Sequence, residues 1–303
     1  MRLSGPSRRF RHTGTLALAL LFASCSSPET ELSAIPPLLV RMALESGHDH
    51  PAAHATRELP SLAESASEGR IRLRVYEDGY LGDDSEVVEQ LRFGGIDIAV
   101  VSLRALEGIA KSAALFGKGG TFPSAAAMER AFAGALGSAL AEELESSRLL
   151  LVSWYDGGPE CYLLPRDAKL PSLSGLRIGV ERSKAVIDEL TAEGAIPVPL
   201  STLEFRRALE AGLVDGVRAP LASVLSSRLD ADYRVVPLEA SRVPMLVIGS
   251  RVSLMKMPGY DRDALSVSVR ASKAFQADAM AFMEARFSRD NPSPWTLSPS
   301  AYP

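Results

Sequence analysis

Three histidines stand close together, His48, His50 and His54, and imidazoles at this spacing are the first arrangement in the chain that could hold a metal. No carboxylate or cysteine beside them completes a plausible ligand set, so a loop or cleft-lining role is the expectation, and no metal. Gly117-Lys118-Gly119-Gly120-Thr121 invites a phosphate-loop reading, but such a loop needs two glycines at fixed spacing with Lys-Ser/Thr directly after the second. That order fails here, which leaves a flexible turn. Hydrolytic and redox motifs are missing too: there is no Gly-x-Ser-x-Gly elbow, His-Glu-x-x-His pair or Cys-x-x-Cys site. The residues give no support to an enzyme, and no cofactor is implied.

The two cysteines have different prospects. Cys25 closes the run Phe22-Ala23-Ser24-Cys25 after an apolar stretch, Thr13 to Ala23, preceded by Arg2, Arg8, Arg9 and Arg11. A charged start and an apolar stretch too short to span a bilayer as a mature helix predict an export signal over residues 1–24. The run resembles a bacterial lipobox in which Cys25 is acylated, with Phe22 where an aliphatic residue is usual; plain cleavage after Ala23 or Ser24 is the alternative. Lipidation would tether the domain to a membrane surface through residues 25–33. It would also leave Cys161 unpaired. Without the four signal arginines, 29 basic residues face 37 acidic ones, a net charge of about −8. A nucleic-acid partner, which needs a basic footprint, is excluded on that balance.

The elements that must position any site begin at Gly69. In Ile71-Arg72-Leu73-Arg74-Val75-Tyr76 apolar residues alternate strictly, the period of a strand with one buried face. Gly79 and Gly82 break the pattern, and Asp83 with Glu86 three residues on makes a capping box for a helix through Val87, Val88 and Leu91. Gly94-Gly95 ends it, and Ile96 to Val101 reads as a buried parallel strand. This ordered stretch, Gly69 to Ser102, resembles the solute-binding subunit of tripartite ATP-independent periplasmic (TRAP) transporters, with Tyr76, Leu81-Gly82-Asp83-Asp84, Glu89-Gln90-Leu91 and Ile96-Asp97 in the family's places.

The resemblance implies an α/β, two-lobed periplasmic binding protein-like fold with hinge strands and an interlobe cleft. Lobe 1 would span 34–153, with 241–268 returning to it, and lobe 2 would span 154–240, with helices of 269–303 packed across it. Leu38 to Ala43 reads as the first strand, and His50-Pro51 opens a helix that closes by Gly69. Ala125 to Leu144 reads as one core-covering helix. Leu149 to Trp154 would be the first crossing between lobes. The strand Leu176 to Val180, a helix from Lys184, a second capping box at Ser201 and Glu204, and a strand at Leu213 to Val217 would build lobe 2.

The family's ligand contacts are carried over through three segments. In "LKGLKIRV" an Arg pairs with a ligand carboxylate; the matching position is Gly179. In "GVVDGQENPL" an Asn reaches the ligand; the matching position is Ala219. Another Arg follows a Trp/Tyr-x-x-Gly turn, matched by Trp154 to Glu160, and its position is Glu160, or Pro159 with a one-residue shift. The cleft is further expected to include Ser102, Tyr80 and His50, since the family has His-Pro at this turn, together with Trp154 and Tyr155. Arg218 is either a relocated ligand cation or a solvated loop arginine. Missing anchors and nearby aromatics (Tyr76, Phe116) imply a ligand that is not a simple carboxylic acid and that could be hydrophobic, as with TRAP-like proteins that work with a tetratricopeptide-repeat lipoprotein. TRAP membrane permease subunits would be the transport partners. The other outcome consistent with the lost anchors is a degenerate binding protein acting as an interaction or scaffold lipoprotein.

Overall fold

The computed structural model describes residues 36–168 and 172–291; the export signal, Cys25, the tether and the segment after Asn291 lie outside the described residues. Eight strands form one sheet: β1 (Leu38–Leu44), β2 (Ile71–Tyr76), β3 (Ile98–Ser102), β4 (Leu149–Leu164), β5 (Arg177–Val180), β6 (Ile196–Pro199), β7 (Gly216–Pro220) and β8 (Arg234–Ser250). Their order is β2-β1-β3-β8-β4-β7-β5-β6. Strands β1, β2 and β3 are parallel, as are β5, β6 and β7, while β8 and β4 lie antiparallel between the two triplets. The fold is therefore two α/β lobes sharing two long central strands.

Those shared strands explain the hinge. β4 and β8 run 16 and 17 residues, and their pairing shifts register at Leu151/Ser153, Asp156/Pro159 and Pro159/Cys161. Each bulge bends the strand locally. Gly158 supplies a positive φ of 91° in the middle of the irregular stretch, a conformation glycine adopts without strain. The expected lobe boundaries at 153/154 and 240/241 thus fall inside continuous strands. The crossings are also longer than the apolar runs that announced them, because polar residues near the bulges interrupt the hydrophobic pattern.

Helices cover both faces: α1 (Pro51–Ala66), α2 (Asp84–Phe93), α3 (Lys111–Phe116), α4 (Ala125–Ala133) and α5 (Ala135–Ser146) in the first half, and α6 (Lys184–Ala192), α7 (Phe205–Glu210) and α8 (Leu221–Ser226) in the second, then α9 (Arg251–Leu254) and α10 (Gly259–Asp290). The Asp83–Glu86 capping box forms, as does the one joining Ser201 and Glu204. The single helix expected over Ala125 to Leu144 is two, broken at the extended Gly134. Gly137 packs so tightly on the Phe132 carbonyl that a Cβ there could not fit. Ala-rich periodicity runs straight through this break and conceals it.

Each lobe has an apolar core on either side of the sheet. In the first lobe one core joins β1 and β2 to α1 and α10, and the other joins β3 to α2, α3 and α5. In the second lobe Cys161, Val217 and Ala219 belong to one core, whereas Tyr162, Ile178 and Val180 belong to the other. The 32-residue α10 is one helix rather than several, and it spans both lobes: Leu265 and Val269 enter the first lobe's core, Phe287 the second's. Among the described residues no helix is long and apolar enough to cross a membrane.

Candidate ligand-binding cleft

Between the lobes, at the C-terminal end of β1 and the turn after β7, lies a cavity of about 380 Å³. The first lobe contributes Glu45 through His50 and Asp78; the second contributes Thr202, Leu203, Phe205, Arg206, Ala219, and residues of α8 and the segment after it. Strand ends facing a crevice are where α/β sheets place ligands. His50 caps α1: its Nδ1 accepts from the Ala52 amide at 3.1 Å, which leaves the remaining ring proton on Nε2. The side chain is 1% exposed, and burial, followed by the charge of His54, lowers its pKa to about 4. At neutral pH it is an uncharged donor.

Glu45 is the other buried polar group of the wall. One oxygen accepts from the Asp84 amide at 2.7 Å and the other from the Thr202 hydroxyl of the opposite lobe. Burial raises the pKa of Glu45, and burial with the adjoining Glu45 raises that of Asp84 well above the carboxylate range. Asp84 also accepts from the Ser102 amide at 2.6 Å.

A second polar cluster occupies the opposite face of the sheet. Neighbouring residues of a strand point to opposite faces, so Ala219 looks toward the cavity while Arg218 points away. Arg218 is fully buried and bonds Glu160 at 3.0 and 3.2 Å. Its guanidinium also lies 3.2 Å from Glu189 and over the Tyr162 ring. Arg104 reaches the same Glu160 at 2.7 Å and Glu181 at 3.0 Å. Ser241 donates to Glu160 at 2.8 Å. Burial alone would push the Glu160 carboxyl up; Arg104 and Arg218 outweigh it and hold the group well below the usual carboxylate range. The Gly117–Gly120 loop closes over this cluster. The Gly117 carbonyl accepts from Arg104, the Gly119 amide donates to Glu189 at 3.3 Å, and the Gly120 amide donates to Ser241 at 3.1 Å. A Cβ on Gly119 would stand 2.5 Å from Arg218 Nη2, so only glycine permits this approach.

The expected site residues are therefore distributed, not gathered. His50 and Ala219 line the cavity. Glu160 and Arg218 pair on the other face, and the solvated-loop reading of Arg218 is replaced by a buried strand residue. Gly179 lies on the cavity side of the sheet but packs on Val217, Leu200 and Val214, with a Cβ position only 3.0 Å from Val217. The Ser102 amide is held by Asp84, and Ser102 does not line the cavity. Tyr80 is 77% exposed and stacks on Tyr76. Trp154 stacks on Phe132 at 5.0 Å within the first lobe's core. Tyr155 is buried with its hydroxyl 2.6 Å from Ser272, and its pKa is raised to about 12, burial outweighing that hydrogen bond. Neither aromatic reaches the cavity. Among the described residues no group of histidine, cysteine and carboxylate side chains could hold a metal ion.

Two further residues of these clusters, Arg104 and Glu45, carry only a faint signal in the sequence. Arg104 sits alone among Leu103, Ala105 and Leu106, and a single arginine in an apolar run is a signal for a buried ion pair. Glu45 follows directly on the apolar β1, at the strand end where such folds present ligand groups.

A two-lobed sheet with crossing strands and an interlobe cavity defines a hinged solute-binding class. Residues 42–289 match bacterial extracellular solute-binding protein family 7 (DctP), and the chain belongs to that family, the solute-binding proteins of TRAP transporters. Among solved structures, the sugar acid binding protein DctPAm of Advenella mimigardefordensis, in complex with galactonate, superimposes with a TM-score of 0.81 at 19% identity, covering 87% of each chain. A TRAP solute binding protein of Sulfitobacter with bound β-D-galacturonate gives 0.80 at 18% identity, covering 88% of this chain and 91% of that one. The uncharacterized protein YiiZ of Salmonella typhimurium is 23% identical over 89% of this chain and 81% of its own length. The C4-dicarboxylate-binding periplasmic protein DctP of Rhodobacter capsulatus is 23% identical over 64% of this chain and 59% of its own.

Proposed function

We propose that this chain is the extracytoplasmic solute-binding component of a TRAP-type transporter, and that the solute it captures between the lobes is not a simple organic acid. One observation carries the reading. Both buried arginines near the cleft, Arg104 and Arg218, are spent on Glu160, Glu181 and Glu189, and neither lines the cavity. Relatives with known complexes hold galactonate or galacturonate, and a carboxylate needs a facing cation when buried. Here the matching motif positions are Glu160, Gly179 and Ala219. Where the family Arg is matched to Glu160 rather than Pro159, the Glu160–Arg218 pair reverses the family segments, which have Arg at the first position and Glu at the second.

Delivery to TRAP membrane permease subunits, a periplasmic location and anchoring through a lipid on Cys25 complete the proposal. For a hydrophobic solute, and with it a tetratricopeptide-repeat lipoprotein partner, Phe205, Val224 and Leu229 in the cavity wall offer an apolar side, but Glu45 and His50 are buried in the same wall, and the aromatics expected there, Trp154 and Tyr155, lie in the core. The second reading, a scaffold lipoprotein without solute, is favoured by the ties between lobes: Arg104 to Glu181, Arg182 to Asp83 at 2.7 Å, and Ser183 to Glu107.

Native mass spectrometry of gently purified protein tests the two. A one-to-one adduct that is not a carboxylic acid is the expected result. A bound sugar acid or dicarboxylate would overturn the proposal; no adduct, with no melting shift across a broad metabolite panel, would favour the scaffold.

A further inference from the structure

We infer that Glu160 is a built-in ligand: its carboxylate is gripped by both lobes as a captured anion would be, and it holds them closed without a solute. The grip leaves neither oxygen free. One accepts from Arg104 Nη2 at 2.7 Å and Arg218 Nε at 3.2 Å, the other from Arg218 Nη2 at 3.0 Å and the Ser241 hydroxyl at 2.8 Å. A forked guanidinium, a second guanidinium and a hydroxyl are groups with which proteins recognise a carboxylate. They come from three parts of the chain: Arg104 follows β3 in the first lobe, Arg218 lies in β7 of the second, and Ser241 lies in the shared β8. Glu160 stands on β4 opposite Pro220 of β7, so its bond from Arg104 crosses between the lobes.

Burial gives this grip its weight. Glu160, Arg104 and Arg218 are each no more than 2% exposed, where water competes little for their charges. The carboxyl stays ionised because the two arginines outweigh the burial that would protonate it. The first lobe also supplies a cover: Gly119 lies so near Arg218 Nη2 that a side chain is barred, and its amide donates to Glu189. From the same lobe Glu107 accepts from the Ser183 hydroxyl and the Ala185 amide at the start of α6. A solute closes a hinge through contacts made better in the closed state than in the open one. Here the chain makes such contacts with its own side chains. The cavity of about 380 Å³ is lined by other residues, so this closure does not depend on which solute it takes.

Chemical rescue of the intact chain tests this. Glu160→Ala leaves two guanidiniums facing the space of the lost carboxylate, and acetate, acetamide and chloride, in a background of matched ionic strength, are the probes. Small-angle scattering should give the variant a larger radius of gyration than the parent. Acetate should restore the parent's value and raise the melting temperature, saturably and in about the millimolar range open to so small a ligand. Acetamide and chloride should do neither, and the parent should respond to none of the three. Arg104→Gln, which leaves Glu160 paired with Arg218 inside the second lobe, should fold and should likewise enlarge the radius of gyration. Variants as compact as the parent overturn the inference, and so does a response to acetate that acetamide or chloride matches. If Glu160→Ala fails to fold even in acetate, Arg104→Gln decides alone: expansion upholds the built-in ligand, and the parent's radius overturns it.

Discussion

Glu160 is the residue on which the second polar cluster turns, since it alone bonds both Arg104 and Arg218. Removing one member of a buried ionic group leaves the others unpaired, so Glu160→Gln is expected to cost about 3–5 kcal/mol in urea denaturation. Replacing Glu160, Arg104 and Arg218 together by Leu or Met should recover much of that loss, because the desolvation cost disappears with the charges. His50 gives a separate test. Its pKa is near 6.5 when unfolded and about 4 in the fold, so the unfolded chain binds more protons between these values and stability falls as pH drops through that window. The full effect is roughly 3 kcal/mol at 1.36 kcal/mol per pKa unit. His50→Asn keeps a capping side chain and should flatten this part of the acid limb in thermal melts.

At the scale of elements, the Gly117–Gly120 loop acts as a seal over the ionic cluster. Gly119→Ala would force Arg218 or Glu189 aside, at an expected cost of about 1–3 kcal/mol, with faster amide exchange at Gly119 and Gly120. Gly108→Ala is the control, having nothing within 4 Å of the added methyl. The sequence could exclude a phosphate loop here but could not show what the glycines do, because the side chains that crowd Gly119 lie in α6 and β7, far along the chain. Local signals read better: the alternation of Ile71 to Tyr76 and the Asp83–Glu86 cap appear as expected. Arg218 stayed ambiguous for the opposite reason, since its partner Glu160 is 58 positions away and only strand pairing brings them together. The family segments pointed to the positions of lost anchors, yet not to the sheet face on which their replacements would meet.

For the whole molecule, the shared strands β4 and β8 and the spanning helix α10 allow hinge motion, while ties between the lobes oppose it. Opening must break Arg104–Glu181, Arg182–Asp83, Ser183–Glu107 and Glu45–Thr202. The double variant Glu107→Ala/Thr202→Val should therefore show a larger radius of gyration in small-angle scattering than the parent. The parent itself should change little in salt, because the interlobe pair Arg104–Glu181 is largely buried and screened weakly, even though the more exposed Arg182–Asp83 pair is loosened. The two-lobed architecture was legible from one strand-helix-strand stretch and its family pattern. The absence of both buried arginines from the cavity wall was not, because it depends on long-range pairing, Glu160 in β4 meeting Arg218 in β7 and Arg104 from the other lobe. That a simple organic acid finds no buried arginine in the cavity is the account's central claim, and calorimetric titration of the intact chain with galactonate and galacturonate tests it most directly. The account predicts no saturable heat; one-to-one binding of either acid in the micromolar range would contradict it.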